Sequence, residues 1–173
     1  MTDFTMTTAR LTLRKPASYD AQWIYELNND PVWVRFIGNR AVHSVRDARR
    51  YIDNTLEHFD KWGYGLWVME RLDTGKPQGM CGLLNRDIFT CPDLGFALLS
   101  DARGKGYAQE GAEAILEWAI EHFDCGYITA MAHRDNNSSR KLLGRLGFEQ
   151  RGTIFMPNVE RQVFYWRDMT NLK

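Results

Sequence analysis

Arg10-Leu11-Thr12-Leu13-Arg14 alternates polar and apolar side chains as a half-buried strand does, and Pro16 stops it. A helix follows, with Ser18 placed to cap it, Ala21, Ile24 and Leu27 at helical spacing, and Asn28-Asn29-Asp30-Pro31 closing it with turn chemistry. Ser44 and Asp47 resemble a capping box, and Val45, Ala48, Ile52, Leu56 and Phe59 mark one apolar face, which predicts a second helix over 44–61. From Gly65 the period becomes extended. Leu66-Trp67-Val68-Met69 and Met80-Cys81-Gly82-Leu83-Leu84 flank Asp73-Thr74-Gly75-Lys76-Pro77 as a hairpin, and Leu94 to Leu99 form a further strand. The strongest helical pattern covers 107–123, with Ala108, Ala112, Ile115, Leu116, Ala119 and Phe123 on one side and Gln109, Glu113, Glu117 and Glu121 on the other. Ile128 to Ala132 reads as a buried strand. A short helix after it ends at Gly147, a left-handed cap, before strands from Phe148 and over Val163 to Trp166. The order is strand, two helices, three strands, helix, strand, helix and two strands, an α+β chain with a mixed central sheet.

Composition narrows this little but usefully. With 173 residues, 44% hydrophobic and 13% aromatic, the chain can fill one core, so a single domain over 1–173 is expected. Lysine and arginine number 22 and so do aspartate and glutamate; the net charge is zero, with no basic stripe for nucleic acid and no field toward a membrane surface. No basic segment leads into an apolar stretch at the start, and no long apolar run occurs, so a cytoplasmic protein is expected, monomeric or homodimeric. Cys81, Cys91 and Cys125 are odd in number and scattered, which argues for packed thiols and against both a disulfide framework and a metal site.

The candidate chemistry begins where the strand ending at Leu98 and Leu99 runs into Arg103-Gly104-Lys105-Gly106-Tyr107-Ala108 and then a helix. Glycines allow close approach, free backbone N–H groups point outward, and the helix start adds about half a positive charge, a geometry suited to phosphate. Lys105 is followed by Gly106 rather than Ser or Thr, and no glycine lies three residues after Gly106, so neither the mononucleotide loop nor the dinucleotide fingerprint fits. Alone, the two glycines read first as a tight connection, and context has to decide.

Arg103, Gly106 and Ala108, the long helix, the next strand, Asn136-Asn137-Ser138-Ser139 and Gly147-Phe148 together resemble the GNAT superfamily of N-acetyltransferases. With Arg10 to Arg14 the resemblance covers most of the chain and is closest to the ribosomal-protein N-terminal acetyltransferase branch. It implies a mostly antiparallel mixed sheet, flanked by helices and splayed at the cofactor site. It also implies acetyl-CoA as donor, with no metal. The pyrophosphate would lie on the N–H groups of residues 104–108, the pantetheine along the strand ending at Leu98 and Leu99, and Asn136 on a pantetheine amide. Lys105 is then a solvated charge near the phosphates.

In the family a tyrosine often protonates the thiolate; the matching slot here is Leu143, and the resemblance offers Ser139 in its place. Ser139 shares the face of Leu142, Leu143 and Leu146, although a helix-start hydroxyl satisfying a backbone donor is the plain alternative. Asn136 is equally a helix cap. For the general base, Asp93 stands where relatives carry a glutamate; Glu160, His133 and water alone remain open, as do solvated or packing roles for each. An α-amine with a pKa near 8 needs less help than a lysine near 10.4.

The acceptor is expected to be a primary amine, on a protein N-terminus or a small molecule such as an amino acid, polyamine or antibiotic. Trp23 and Trp67 sit in regular elements and are expected in the core, whereas Trp33 and Phe36 follow Asp30-Pro31 in an expected loop and are the acceptor-pocket candidates. A non-catalytic acyl-CoA-binding module is the rival that Leu143 keeps open.

Overall fold

The computed structural model describes residues 5–156 and 159–170, with the backbone alone at 156, 159 and 160. A short strand, β1 (Met6–Thr7), pairs antiparallel with β2 (Leu11–Arg14), the strand its alternation predicts. A 3-10 turn over Ser18–Asp20 leads into α1 (Ala21–Asn28). Ser18 does not cap it. The side chain that organises this turn is Asp20, whose carboxylate accepts from the Ala17 amide, Trp23 Nε1 and both terminal nitrogens of Arg14, all within 2.9 Å.

The next segment corrects the sequence reading. Residues 31–36 are not a loop but a helix, α2 (Pro31–Phe36), with Asp30 as its N-cap accepting from the Val32 and Trp33 amides and Pro31 in the first turn. Asp-Pro ends one helix and starts another, because proline in a first turn has no amide that needs a partner. The α3 helix (Val45–Trp62) begins at Ser44, whose hydroxyl accepts from the Asp47 amide, and stops at Gly63 in the left-handed region.

The remaining elements are β3 (Leu66–Arg71), β4 (Pro77–Leu84), β5 (Asp93–Leu98), α4 (Tyr107–His122), β6 (Tyr127–His133), α5 (Asn137–Arg145), β7 (Glu149–Met156) and β8 (Val159–Asp168). They form one eight-stranded sheet in the order β1-β2-β3-β4-β5-β6-β8-β7. Among the described strands only β5 and β6 run parallel, joined by the crossover through α4 that parallel neighbours need. The expected mixed, mostly antiparallel sheet between helices is what the chain forms.

Strand alternation distributes the side chains to two cores. Trp67, Met69, Cys81 and Leu83 pack with Ala112, Ile115, Leu116 and Ala119 of α4, while Met80 lies with Ile24, Leu27, Trp33, Ala48 and Ile52 of the helices on the opposite face. Trp67 is buried as expected; Trp23 is half-buried against the second core. The α5 helix ends in paired bonds from the Phe148 amide to Leu143 O and the Gly147 amide to Gly144 O, with Gly147 at φ +80°, the left-handed cap that its sequence announces. Among the described residues no helix is long and apolar enough to cross a membrane.

Candidate active site

The site begins as a gap in the sheet. Neighbouring β5 and β6 pair only at Asp93 with Thr129 and Leu94 with Ala130; beyond these, β5 stays on β4 and β6 stays on β8. The backbone of Gly95 to Leu98 therefore has an edge facing a cleft of about 1150 Å3, with Met131, Ala132 and His133 of β6 across it. A strand edge with unpaired amides and carbonyls is a template for another extended chain.

At the head of the gap lies the glycine loop. Gly104 and Gly106 have φ of +72° and +82°, and Gly106 is the N-cap of α4 with no side chain capping it. Among the described residues nothing accepts from the backbone N–H groups of Gly104 to Ala108. Arg10 braces the loop from outside: Nη1 donates to Lys105 O at 2.9 Å, Nε donates to Glu110 Oε2 at 2.6 Å, and the guanidinium covers the Tyr107 ring. Arg103 reaches the other way, donating to Leu98 O and to Asp30 Oδ1.

On the far wall Asn136 caps α5, its Oδ1 accepting from the Ser139 amide, which leaves its Nδ2 available in the cleft. Because Asn136 does the capping, the Ser139 hydroxyl is not spent on the helix start, and Ser139 lines the cleft half-buried. Leu143 is packed in the core.

Of the residues singled out in the sequence, Leu98, Arg103, Gly104, Gly106, Ala108, Asn136, Ser139, Trp33 and Phe36 line this one cleft. Lys105 is exposed and contributes its carbonyl to Arg10, Tyr107 is buried beneath Arg10, and the Leu99 amide donates to Gln78 O on β4. Asp93 is not in the lining. It is 1% exposed, accepting from Arg86 Nε at 2.6 Å and Thr129 Oγ1 at 3.0 Å. Burial pushes its carboxyl up, against the pull of Arg86 and Thr129. His133 is buried in the cleft wall against Phe36, and its Nδ1 accepts from the Asp135 amide, so that nitrogen is no base. The Glu160 side chain lies outside the described residues.

Sequence reasoning missed the opposite end of the cleft. Tyr51, Asn54, Thr55 and His58 line it from α3, joined by Arg40 after α2 and by Asn85 and Arg86 after β4. Their spacing of three, one and three was a legible second stripe beside the apolar face of α3. His58 is a strut: its Nε2 accepts from the Asn85 amide, so Nδ1 carries the proton and donates to Tyr64 O.

A mixed sheet parted between the parallel strands β5 and β6, with unpaired amides at the head of the gap among the described residues, is the architecture of a splayed-sheet acyltransferase. The chain belongs to the GNAT acetyltransferases: the model of the acetyltransferase (GNAT) domain matches residues 10–149. YkkB of Bacillus subtilis, an uncharacterized protein, is 26% identical over 152 residues, which span 86% of this chain and 87% of YkkB. The solved ribosomal-protein-S5-alanine acetyltransferase of Vibrio fischeri superposes with a TM-score of 0.79 at 18% identity, covering 99% of this chain and 100% of that one. RimL, a ribosomal L7/L12 alpha-N-protein acetyltransferase solved with coenzyme A, superposes with a TM-score of 0.83 at 15% identity, covering 95% and 98%. At those identities the likeness is one of fold. The protein is an acetyltransferase.

Proposed function

We propose that the cleft binds acetyl-CoA along β5 and that the enzyme acetylates a primary α-amine of the kind carried by a protein N-terminus. The observation that carries this reading is the set of unpaired N–H groups from Gly104 to Ala108, opening into the same cleft as the free edge of β5. Those amides suit a pyrophosphate, and Lys141 and Arg145 of α5 line the same cleft with positive charge. Gly95 to Leu98 offer backbone groups to pantetheine amides, and Asn136 offers Nδ2. The coenzyme A bound to RimL, and that protein's α-amine acceptor, are consistent with both halves of the proposal.

Acetyl-CoA supplies a thioester carbonyl activated toward amines. The amine nitrogen bonds to that carbon, the carbon–sulfur bond breaks, and the proton lost by the amine ends on the sulfur. Ser139 is the group proposed to relay that proton, since its hydroxyl is in the cleft wall and not engaged in capping. No aspartate or glutamate lines the cleft among the described residues, so an amine that arrives already deprotonated suits it best. That favours an α-amine, with a pKa near 8, over a lysine near 10.4. Asp93 instead holds Arg86 in position.

Release of thiol from acetyl-CoA, measured against peptides with a free N-terminus and against the same peptides blocked there but bearing lysine, tests the proposal. Turnover should depend on the free α-amine. Turnover of lysine alone, or none with either peptide set, overturns it.

A further inference from the structure

The end of the cleft lined by α2, α3 and the turn after β4 holds two guanidinium groups and, among the described residues, no carboxylate. Arg40 lines it with no carboxylate partner among the described residues. Although the residue as a whole is exposed, its charged end is crowded: burial and the neighbouring Arg86 both hold its pKa below the usual guanidinium value. Arg86 spends Nε on Asp93, which leaves its terminal nitrogens for the cleft it lines. Trp33, buried in the same wall, has an indole N–H with no acceptor among the described residues. Burial pushes the Tyr51 phenol up, so it stays a neutral O–H donor. Two guanidinium groups that repel each other, an orphaned N–H and a phenol are a poor environment for an ammonium and a good one for an anion.

We infer that the acceptor is an amine that also carries an anionic group, a carboxylate or phosphate, seated on Arg40 and Arg86 while its amine faces the gap between β5 and β6. This rests on the reading of the cleft as an amine-acceptor site and names the class of amine. The same chemistry fits two sources: a protein N-terminus with an acidic side chain in its first positions, or a free amino acid through its own carboxylate. Polycationic amines fit this end less well, because the described lining sets two guanidinium groups there and no carboxylate.

Matched acceptor pairs, alike but for one anionic group, test the inference: a Ser-Asp against a Ser-Asn peptide, a phosphoserine against a serine peptide, and an amino acid against its amide. The anionic member should have a kcat/KM roughly ten- to a hundredfold higher, carried by KM, since a hydrogen-bonded charge pair is replaced by a neutral contact. The first two pairs report a polypeptide acceptor and the third a free amino acid. Arg40→Gln should erase the preference and Arg40→Lys should restore part of it, with coenzyme A binding as the check on folding. Neutral members acetylated as well as anionic ones in every pair, or a preference that survives Arg40→Gln, overturns the inference while acetyl transfer to α-amines stands. Calorimetry with the N-acetylated anionic compounds and coenzyme A decides the case without turnover. Binding that weakens in Arg40→Gln supports the anion site even if no amine is acetylated, and binding that does not weaken overturns it.

Discussion

Asp30 and Arg103, 73 residues apart, meet at 2.5 Å and tie the helix that carries the cleft-lining Trp33 and Phe36 to the loop that opens α4. Asp30 does two things with one carboxylate, capping α2 through the Val32 and Trp33 amides and receiving Arg103, which also donates to Leu98 O on β5. The contact thus joins two halves of the cleft.

Removing Asp30 should therefore affect stability and both substrates. Asp30→Ala should cost about 1–2 kcal/mol, as lost N-caps do, and raise KM for acetyl-CoA and for the amine. Arg103→Met leaves the cap intact; the ion pair is partly exposed, so stability should change by about 1 kcal/mol or less, while KM for acetyl-CoA rises. Denaturant titration of both single variants and the double variant gives the coupling. Purely additive energies would show that the contact does not join the two halves.

The two loop glycines make separable predictions. At Gly104 a Cβ would meet nothing within 4 Å, so Gly104→Ala carries only the left-handed backbone cost, about 1–2 kcal/mol. At Gly106 a Cβ would also lie 3.3 Å from Arg10 Nη2, whose neighbouring Nη1 holds Lys105 O. Gly106→Ala should consequently weaken coenzyme A binding more than Gly104→Ala does, by calorimetry at equal temperature. Wild-type affinity in Gly106→Ala would remove the loop from the binding site.

Ser139→Ala separates catalysis from capping. Asn136 supplies the cap at this helix start, so melting temperature and coenzyme A affinity should hold steady. If Ser139 relays the proton, kcat falls roughly 10²- to 10⁴-fold. An unchanged kcat leaves the proton transfer to water.

What could be read from the sequence was what repeats locally. The α3 and α4 helices show in their apolar spacing, the hairpin in Asp73-Thr74-Gly75, and the end of α5 in Gly147. The glycine-loop end of the cleft was legible for the same reason, since Gly104, Gly106, Asn136 and Ser139 fall in two short segments. The β1 strand, at two residues, is too short to show a period. Helix α2 was missed because Asp30-Pro31 was read only as an ending, when a capping aspartate followed by proline also marks a beginning. The other end of the cleft comes from α2, α3 and the turn after β4, and no local pattern joins Arg40 to Arg86. Nor could spacing reveal that Asp93 is occupied by Arg86 and Thr129, because that depends on which strands lie side by side.

Acid stability should be governed in part by Asp20, which is 1% exposed and bonded to Arg14, Trp23 and the Ala17 amide. Burial alone would raise its carboxyl; the hydrogen bonds from Arg14, Trp23 and Ala17 outweigh it and hold the folded value below the ordinary 3.8. The unfolded chain therefore takes up the proton first on acidification. The contribution is fully present above about pH 4 and is lost as pH falls through the folded value. Asp20→Asn should remove this pH dependence and cost about 1.5–3 kcal/mol at neutral pH, because Arg14 loses its more buried carboxylate partner and keeps Glu70 and the Lys15 carbonyl. Denaturant midpoints at pH 7 and pH 3 decide it: the gap between wild type and variant should narrow at the lower pH. A gap of constant size would mean that Asp20 acts through packing and its neutral hydrogen bonds rather than through its charge.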